Sequence, residues 1–142
     1  MRSTINTIGY EGKDINQFID ELLLNKVDTL IDTRIRAGGR KIDFCKKNLS
    51  NYLQNKGIHY HHLRELGTPQ YLMQIMKIKG TYSMDEYSLY LDSQENVLEN
   101  AIAIAKTHNV AIMCFEKNYE TCHRSVIAER LSIILNKNVN HI

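Results

Sequence analysis

Apolar positions along the chain switch between two periods. Thr4–Gly9 (TINTIG) is short, β-branched and closed by glycine, which predicts a first strand. Gly9 and Gly12 bracket Tyr10 and Glu11 and mark a tight turn at that strand's carboxyl end. Asp14 offers an N-cap with Gln17 three residues later, and Ile15, Phe18, Ile19, Leu22 and Leu23 then form a helical stripe. Val27–Thr33 predicts a second strand. Arg34–Lys41 has no apolar period and contains Gly38-Gly39, so it predicts a loop. Phe44, Leu49, Tyr52 and Leu53 suggest a second helix, stopped by Gly57. Ile58–Leu63 (IHYHHL) predicts a third strand, with Ile58, Tyr60 and His62 on one face and His59 and His61 on the other.

Thr68-Pro69 reads as an N-cap followed by proline at the first helical position. Leu72, Ile75 and Met76 give that helix its stripe, and Gly80 ends it. Ser83 with Glu86 predicts a capping box for the next helix, whose apolar side is Tyr87, Tyr90 and Leu91. Val97, Leu98, Ala101, Ile102 and Ala105 predict a longer helix from about Gln94 to Lys106. Val110–Phe115 is an apolar run of strand length. Ile127, Leu131, Ile134 and Leu135 predict a last helix from about Cys122, and Val139–Ile142 a short final strand.

The order βαβαβ, a helical excursion, then αβαβ predicts one three-layer α/β domain over residues 1–142. Its core would be a mainly parallel, Rossmann-like sheet of about five strands with helices on both faces. Right-handed crossovers put every strand's carboxyl end on one edge. That edge collects Gly9 and Tyr10, Asp32 and Arg34, Arg64 and Glu65, and Cys114 and Glu116. Open α/β sheets bind their ligands there.

Composition narrows the class. Apolar content of 43% and charged content of 24% are globular values. No apolar run reaches the ~18 residues of a membrane span. The N-terminus, MRSTINTIGYEG, lacks the apolar core of a signal peptide, so a cytoplasmic chain is expected. There Cys45, Cys114 and Cys122 would be thiols. One proline and no low-complexity tract leave no linker, repeat or domain boundary. The net charge of +2 is too small to argue for nucleic acid. Its distribution says more. Arg34, Arg36, Arg40, Lys41, Lys46 and Lys47 are relieved only by Asp43, which predicts a local basic surface and an anionic partner. A merely solvated loop and helix face is the alternative.

Chemistry-bearing residues gather where the Val110 strand gives way to the last helix. Thr121 reads as the N-cap, with Cys122 in the first turn. A helix N-terminus favours negative charge and lowers a thiol's pKa, and its free N–H groups can hold an anion. Arg124 would add donors to that anion, and His123 titrates near neutral pH. The alternative is a buried cysteine with structural hydrogen bonds. Glu116 reads as a general base or as a partner of Arg34 or Arg124. A zinc set of Cys114, Cys122, His123 and His141 is disfavoured by spacing: seven residues separate the two cysteines, against two to four in common knuckles. No metal is assigned. Asp32, at a strand's end, suits a ribose hydroxyl or a base, or it orients a neighbouring arginine. Arg34, Arg36 and Arg40 suit a phosphate. No Walker loop or GxGxxG occurs, and His59, His61 and His62 read as surface and packing.

The runs TIGYEG, DTR with Arg36, Arg40 and Phe44, GIHYHHLRELG, CFEKNYETCHR and the final HI together resemble the family of domains of unknown function numbered 488. The motifs cover nearly the whole chain in the family's order. The residues that match are Gly9, Tyr10, Asp32, Arg34, Arg40, Tyr60, Leu66, Gly67, Cys114, Glu116, Cys122, His123, Arg124 and His141. The family often carries proline and serine after DxR, where this chain has Ala37-Gly38-Gly39. The resemblance implies a three-layer α/β fold and no defined activity.

Three functions are consistent with these residues. The first is an enzyme acting on a phosphate-bearing substrate, a nucleotide or nucleic acid. Tyr10, Arg34, Arg36, Arg40, Tyr60 and Arg124 would bind it, Asp32 or Glu116 would be the base, and His123 or Cys122 would assist. The second is a noncatalytic nucleotide or nucleic-acid binding module on the same basic loop. The third is thiol or sulfur-transfer chemistry at Cys122. The sequence leaves catalysis itself, any cofactor and the oligomeric state open.

Overall fold

Among the described residues of the computed structural model, 4–78 and 85–142, five strands pair in one parallel sheet. They are β1 (Ile5–Gly9), β2 (Thr29–Asp32), β3 (His59–His62), β4 (Val110–Cys114) and β5 (Val139–His141), in the order β3-β2-β4-β1-β5. Helices α1 (Ile15–Leu24), α2 (Lys46–Asn55), α3 (Gln70–Ile78), α4 (Asp85–Asp92), α5 (Glu95–Thr107) and α6 (His123–Leu135) connect them. Register places Gly9 beside Cys114 and Asp32 beside both Met113 and His62, so four strand ends share one edge. No helix among the described residues is long and apolar enough to cross a membrane.

Strand side chains alternate between two buried layers. Ile8, Leu30, Ala111 and Met113 pack with Phe18, Ile19 and Leu22 of α1, Leu49 and Leu53 of α2, and Phe44. Ile5, Ile31, Val110 and Ile112 pack on the other side with α4, α5 and α6, through Tyr87, Leu91, Ala101, Ala105, Ile127, Ala128 and Leu131. Each of the larger side chains, Val, Leu, Ile, Met and Phe, contributes roughly 1.5–3 kcal/mol by leaving water. The same alternation sends Asp32 to the α1/α2 side and its neighbour Thr33 to the α6 side.

Local signals act largely as expected. The Asp14 carboxylate accepts from the Gln17 amide at 2.8 Å and starts α1. Gly57 stops α2 at a φ of +76°, and Asn136 ends α6 in the left-handed region at a φ of 53°. Several boundaries differ. α3 begins at Gln70, one residue beyond Pro69. β4 ends at Cys114, and Phe115 is exposed. Thr121 does not cap α6. It lies in a 3-10 turn, Tyr119–Thr121, where its hydroxyl donates to the Asn118 carbonyl, and Cys122 is the N-cap. Leu23, Tyr52, Ile75 and Ile134 lie outside the core. Tyr52 instead donates its hydroxyl to Asp43 at 2.9 Å. Gly80, Ser83 and the side chain of Met76 lie outside the described residues.

Gly9 is where β1 meets the chain leaving β4. A Cβ on it would stand 1.9 Å from the Glu116 carbonyl oxygen and 3.1 Å from an Arg124 nitrogen. Backbone cannot yield cheaply there, so Gly9→Ala should destabilise the fold by about 1–3 kcal/mol or more. Gly38→Ala, which meets no atom within 4 Å, should stay within about 0.5 kcal/mol of the parent. Urea unfolding midpoints check both; equal midpoints would contradict the packing described here.

Candidate functional site

On the α1/α2 side the edge is built around Asp32, which is fully buried. Its Oδ1 accepts from the Arg34 backbone N–H and from Nε, each at 3.0 Å. Its Oδ2 accepts from Arg34 Nη2 at 2.8 Å and from the Tyr60 hydroxyl at 2.6 Å. Arg34 Nη2 also donates to the Phe44 carbonyl at 2.8 Å, and Nη1 to the Tyr10 hydroxyl at 3.3 Å. His62 Nε2 must carry a proton, because its partner is the Arg34 carbonyl. Burial alone would lower the Arg34 pKa, but the bonds and charge of Asp32 more than offset it and hold the guanidinium ionised. Burial first, then the Asp32 charge, raises the Tyr60 phenol above its ordinary range. Asp32 therefore has both carboxylate oxygens engaged by Arg34 and Tyr60.

On the α6 side, Thr33 Oγ1 donates its single proton to the Met113 carbonyl at 2.8 Å. It must then accept from His123 Nε2, also at 2.8 Å, which fixes that ring's tautomer and leaves Nδ1 unprotonated. Tyr87 packs 5.4 Å from the ring. Burial, and then the Arg124 charge, lowers the His123 pKa to about 4. Arg124 is fully buried. Its Nη1 donates to the Glu116 carbonyl at 2.5 Å and toward Cys114 Sγ at 3.1 Å, and Nη2 to the Lys117 carbonyl at 3.2 Å. Its Nε has no partner among the described residues. These donors turn inward, so Arg124 braces the turn after β4 and does not offer its fork to solvent.

Cys114 and Cys122 converge from β4 and the α6 cap. Their sulfurs are bonded, with Cα atoms 7.7 Å apart. In this oxidised form the expectation of three separate thiols is corrected: Cys45 alone is free. The half-buried Glu116 places Oε2 3.2 Å from Cys114 Sγ. His141 hydrogen-bonds Thr7 through Nδ1 at 2.6 Å and stacks on Tyr119 with centroids 3.7 Å apart.

The basic stretch divides. Arg34 is buried, which removes it from the predicted surface, whereas Arg36, Arg40, Lys41, Lys46 and Lys47 are exposed. Lys41 Nζ donates to the Lys13 carbonyl at 2.9 Å and stands 6.0 and 5.7 Å from the Tyr10 and Phe44 rings. Those rings stack at 4.6 Å, and Phe115, 46% exposed, meets Tyr10 edge-on at 5.2 Å. Thr33, Phe115 and Tyr119 were absent from the sequence candidates. Thr33 was accessible by alternation, since it must face away from Asp32.

The fold and edge thus define a parallel, Rossmann-like α/β protein with two polar networks at the carboxyl end of its sheet. The chain belongs to the family described as Domain of unknown function DUF488, whose model matches residues 14–131. Searches of curated proteins and of solved structures return no match.

Two predictions test these networks. Asp32→Asn leaves a buried guanidinium uncompensated and should cost about 3–5 kcal/mol. Tyr60→Phe should cost about 1.5–3 kcal/mol, and the double variant less than the sum of the two. Denaturant titration reads all three. For His123, the folded pKa lies below the ordinary imidazole value of 6.5, so between about 4 and 6.5 the unfolded chain binds more protons. Stability should fall as pH drops through that window. Part of the fall should vanish in His123→Gln, measured as the difference in unfolding free energy between pH 7 and pH 4.5.

Proposed function

We propose that this protein binds a phosphate-bearing ligand, a nucleotide or nucleic acid, at the carboxyl edge of its sheet and acts on it there. One observation carries the reading. Five exposed cationic side chains, Arg36, Arg40, Lys41, Lys46 and Lys47, belong to the connection and helix that adjoin the aromatic pile of Tyr10, Phe44 and Phe115. The one acid in the stretch, Asp43, is taken by Tyr52. Cations neutralise phosphates, and an exposed ring offers a face to a base. Arg34 anchors the loop from behind, held by Asp32. Glu116 and the Nδ1 of His123 are the acid–base groups that the two networks leave least committed. A cytoplasmic location fits such a ligand.

A noncatalytic binding module is the second reading, favoured by the full engagement of Asp32, the strand-end carboxylate best placed to be a base. Sulfur transfer ranks below both, because Cys114 and Cys122 are each only 1% exposed.

Fluorescence anisotropy with a labelled single-stranded oligonucleotide, competed by mononucleotides, tests the proposal. Affinity should fall with salt at a slope of about −0.7 per phosphate contact. Arg36→Glu with Arg40→Glu should weaken binding at least tenfold and flatten that slope. Wild-type protein that binds neither probe, or a charge-reversed variant that binds equally well, would refute it. Glu116→Gln then separates the readings: loss of turnover with retained binding marks an enzyme, and binding with no turnover in the parent marks the module.

A further inference from the structure

We infer that Cys114, Glu116 and Cys122, in the thiol form, make a binding site for one thiophilic divalent cation, with zinc the best fit. The inference goes beyond the phosphate reading and stands without it. The ligand atoms of these three residues all lie within 4.8 Å of one another. Cys114 ends β4, and Glu116, two residues on, keeps to the same side. Cys122 is the cap residue of α6. Two of the ligands therefore sit at the boundary of regular elements, and the chain between them is pressed against Gly9.

The backbone spacing suits an ion better than a sulfur–sulfur bond. Disulfides usually span Cα separations of about 4.4–6.8 Å, and these Cα atoms are 7.7 Å apart. Once a thiol reductant supplies the two electrons that open the sulfur–sulfur bond, the two thiols release their protons to solvent and form two metal–sulfur bonds of about 2.3 Å each, which span a wider gap between the same two backbones.

Charge supports the same occupant. Arg124 is fully buried, and its acceptors are two carbonyls and Cys114 Sγ. Among the described residues no carboxylate forms an ion pair with it. The Glu116 carboxylate acts on this buried cation only from beyond ion-pair distance, and negative charge held closer to it would be favourable. Two thiolates and a carboxylate supply more negative charge than Arg124 needs, and a divalent cation leaves the group neutral. Arg124 Nη1, 3.1 Å from Cys114 Sγ, then takes the place of an outer donor to a metal-bound sulfur. Two thiolates with one carboxylate suit zinc, and three protein ligands leave a fourth position for water. That position opens past Glu116, the one ligand of the three that is not buried. The gap between the cysteines gives no zinc signature because the connection from β4 to α6, with its 3-10 turn, is longer than a common knuckle and folds back to bring them together.

The test uses the full chain, reduced anaerobically, freed of metal and titrated with cobalt(II), then zinc(II). We expect one cobalt per chain with a thiolate-to-cobalt charge-transfer band, displaced by zinc. The band should be lost in Cys114→Ser and in Cys122→Ser, and kept in Cys45→Ser. Arg36→Glu with Arg40→Glu should keep it too, which separates this site from the phosphate site. Should a cysteine variant fail to fold by circular dichroism, wild-type alkylation decides: zinc should protect Cys114 and Cys122 while Cys45 still reacts. A reduced wild-type protein with three titratable thiols and no band overturns the inference, as does equal alkylation with and without zinc.

Discussion

The carboxyl edge of the sheet depends on the buried ion pair of Asp32 and Arg34. Taking both charges out of water costs several kcal/mol per ion, and the pair stands only because its remaining lone pairs and protons are used. Asp32 accepts five bonds, and Arg34 also donates to the Phe44 carbonyl and the Tyr10 hydroxyl. One pair therefore ties together the chain after β1, the chain after β2, the turn before α2 and strand β3. The exposed cations that follow Arg34 are carried on a loop whose root is fixed, and on the proposed reading that fixed root would lower the ordering cost of holding an anion.

Much of this fold was readable because the hydrophobic period reports burial directly. Every predicted strand is present, and the edge follows from parallel pairing and one crossover hand. Strand order was not readable, because periodicity says that a strand is buried and not which strand it pairs with. Boundaries failed where a polar group had a competing partner. At α6, threonine's propensity favoured Thr121, but Asn118 caps the preceding turn by accepting from the Glu120 amide, and the helix starts only after it. Tyr52 has the right spacing for the core of α2, yet its hydroxyl bonds Asp43 outside.

The site was legible in residue type and less so in role. Asp32 and Arg34 look like base and anion binder in a list, but two residues apart on a strand end they reach the same side and consume each other. Arg124 looks like a free fork, but its position on the inner face of α6 aims it at carbonyls. Cys114 and Cys122 meet only because Gly9 lets the turn after β4 fold across β1, a consequence of one missing Cβ that no local pattern displays.

The two buried arginines show how the halves of the edge differ. Arg34 has a carboxylate and is electrostatically complete. Arg124 is equally buried, has carbonyl dipoles and a sulfur instead, and keeps one donor unspent. Adjacent residues, Asp32 and Thr33, root the two networks on opposite faces of the sheet. The exposed positive charge lies on the α2 side and the partly exposed carboxylate of Glu116 on the α6 side. A ligand with a phosphate at one end and a polarisable bond at the other would lie across the strand ends in one orientation. Its phosphate would meet Arg36 and Arg40, and its other end would approach Glu116 and His123. With Glu116 free of metal, the reversed ligand would set phosphate against carboxylate. On the proposed phosphate reading, the field of the metal-free edge would select direction as well as charge.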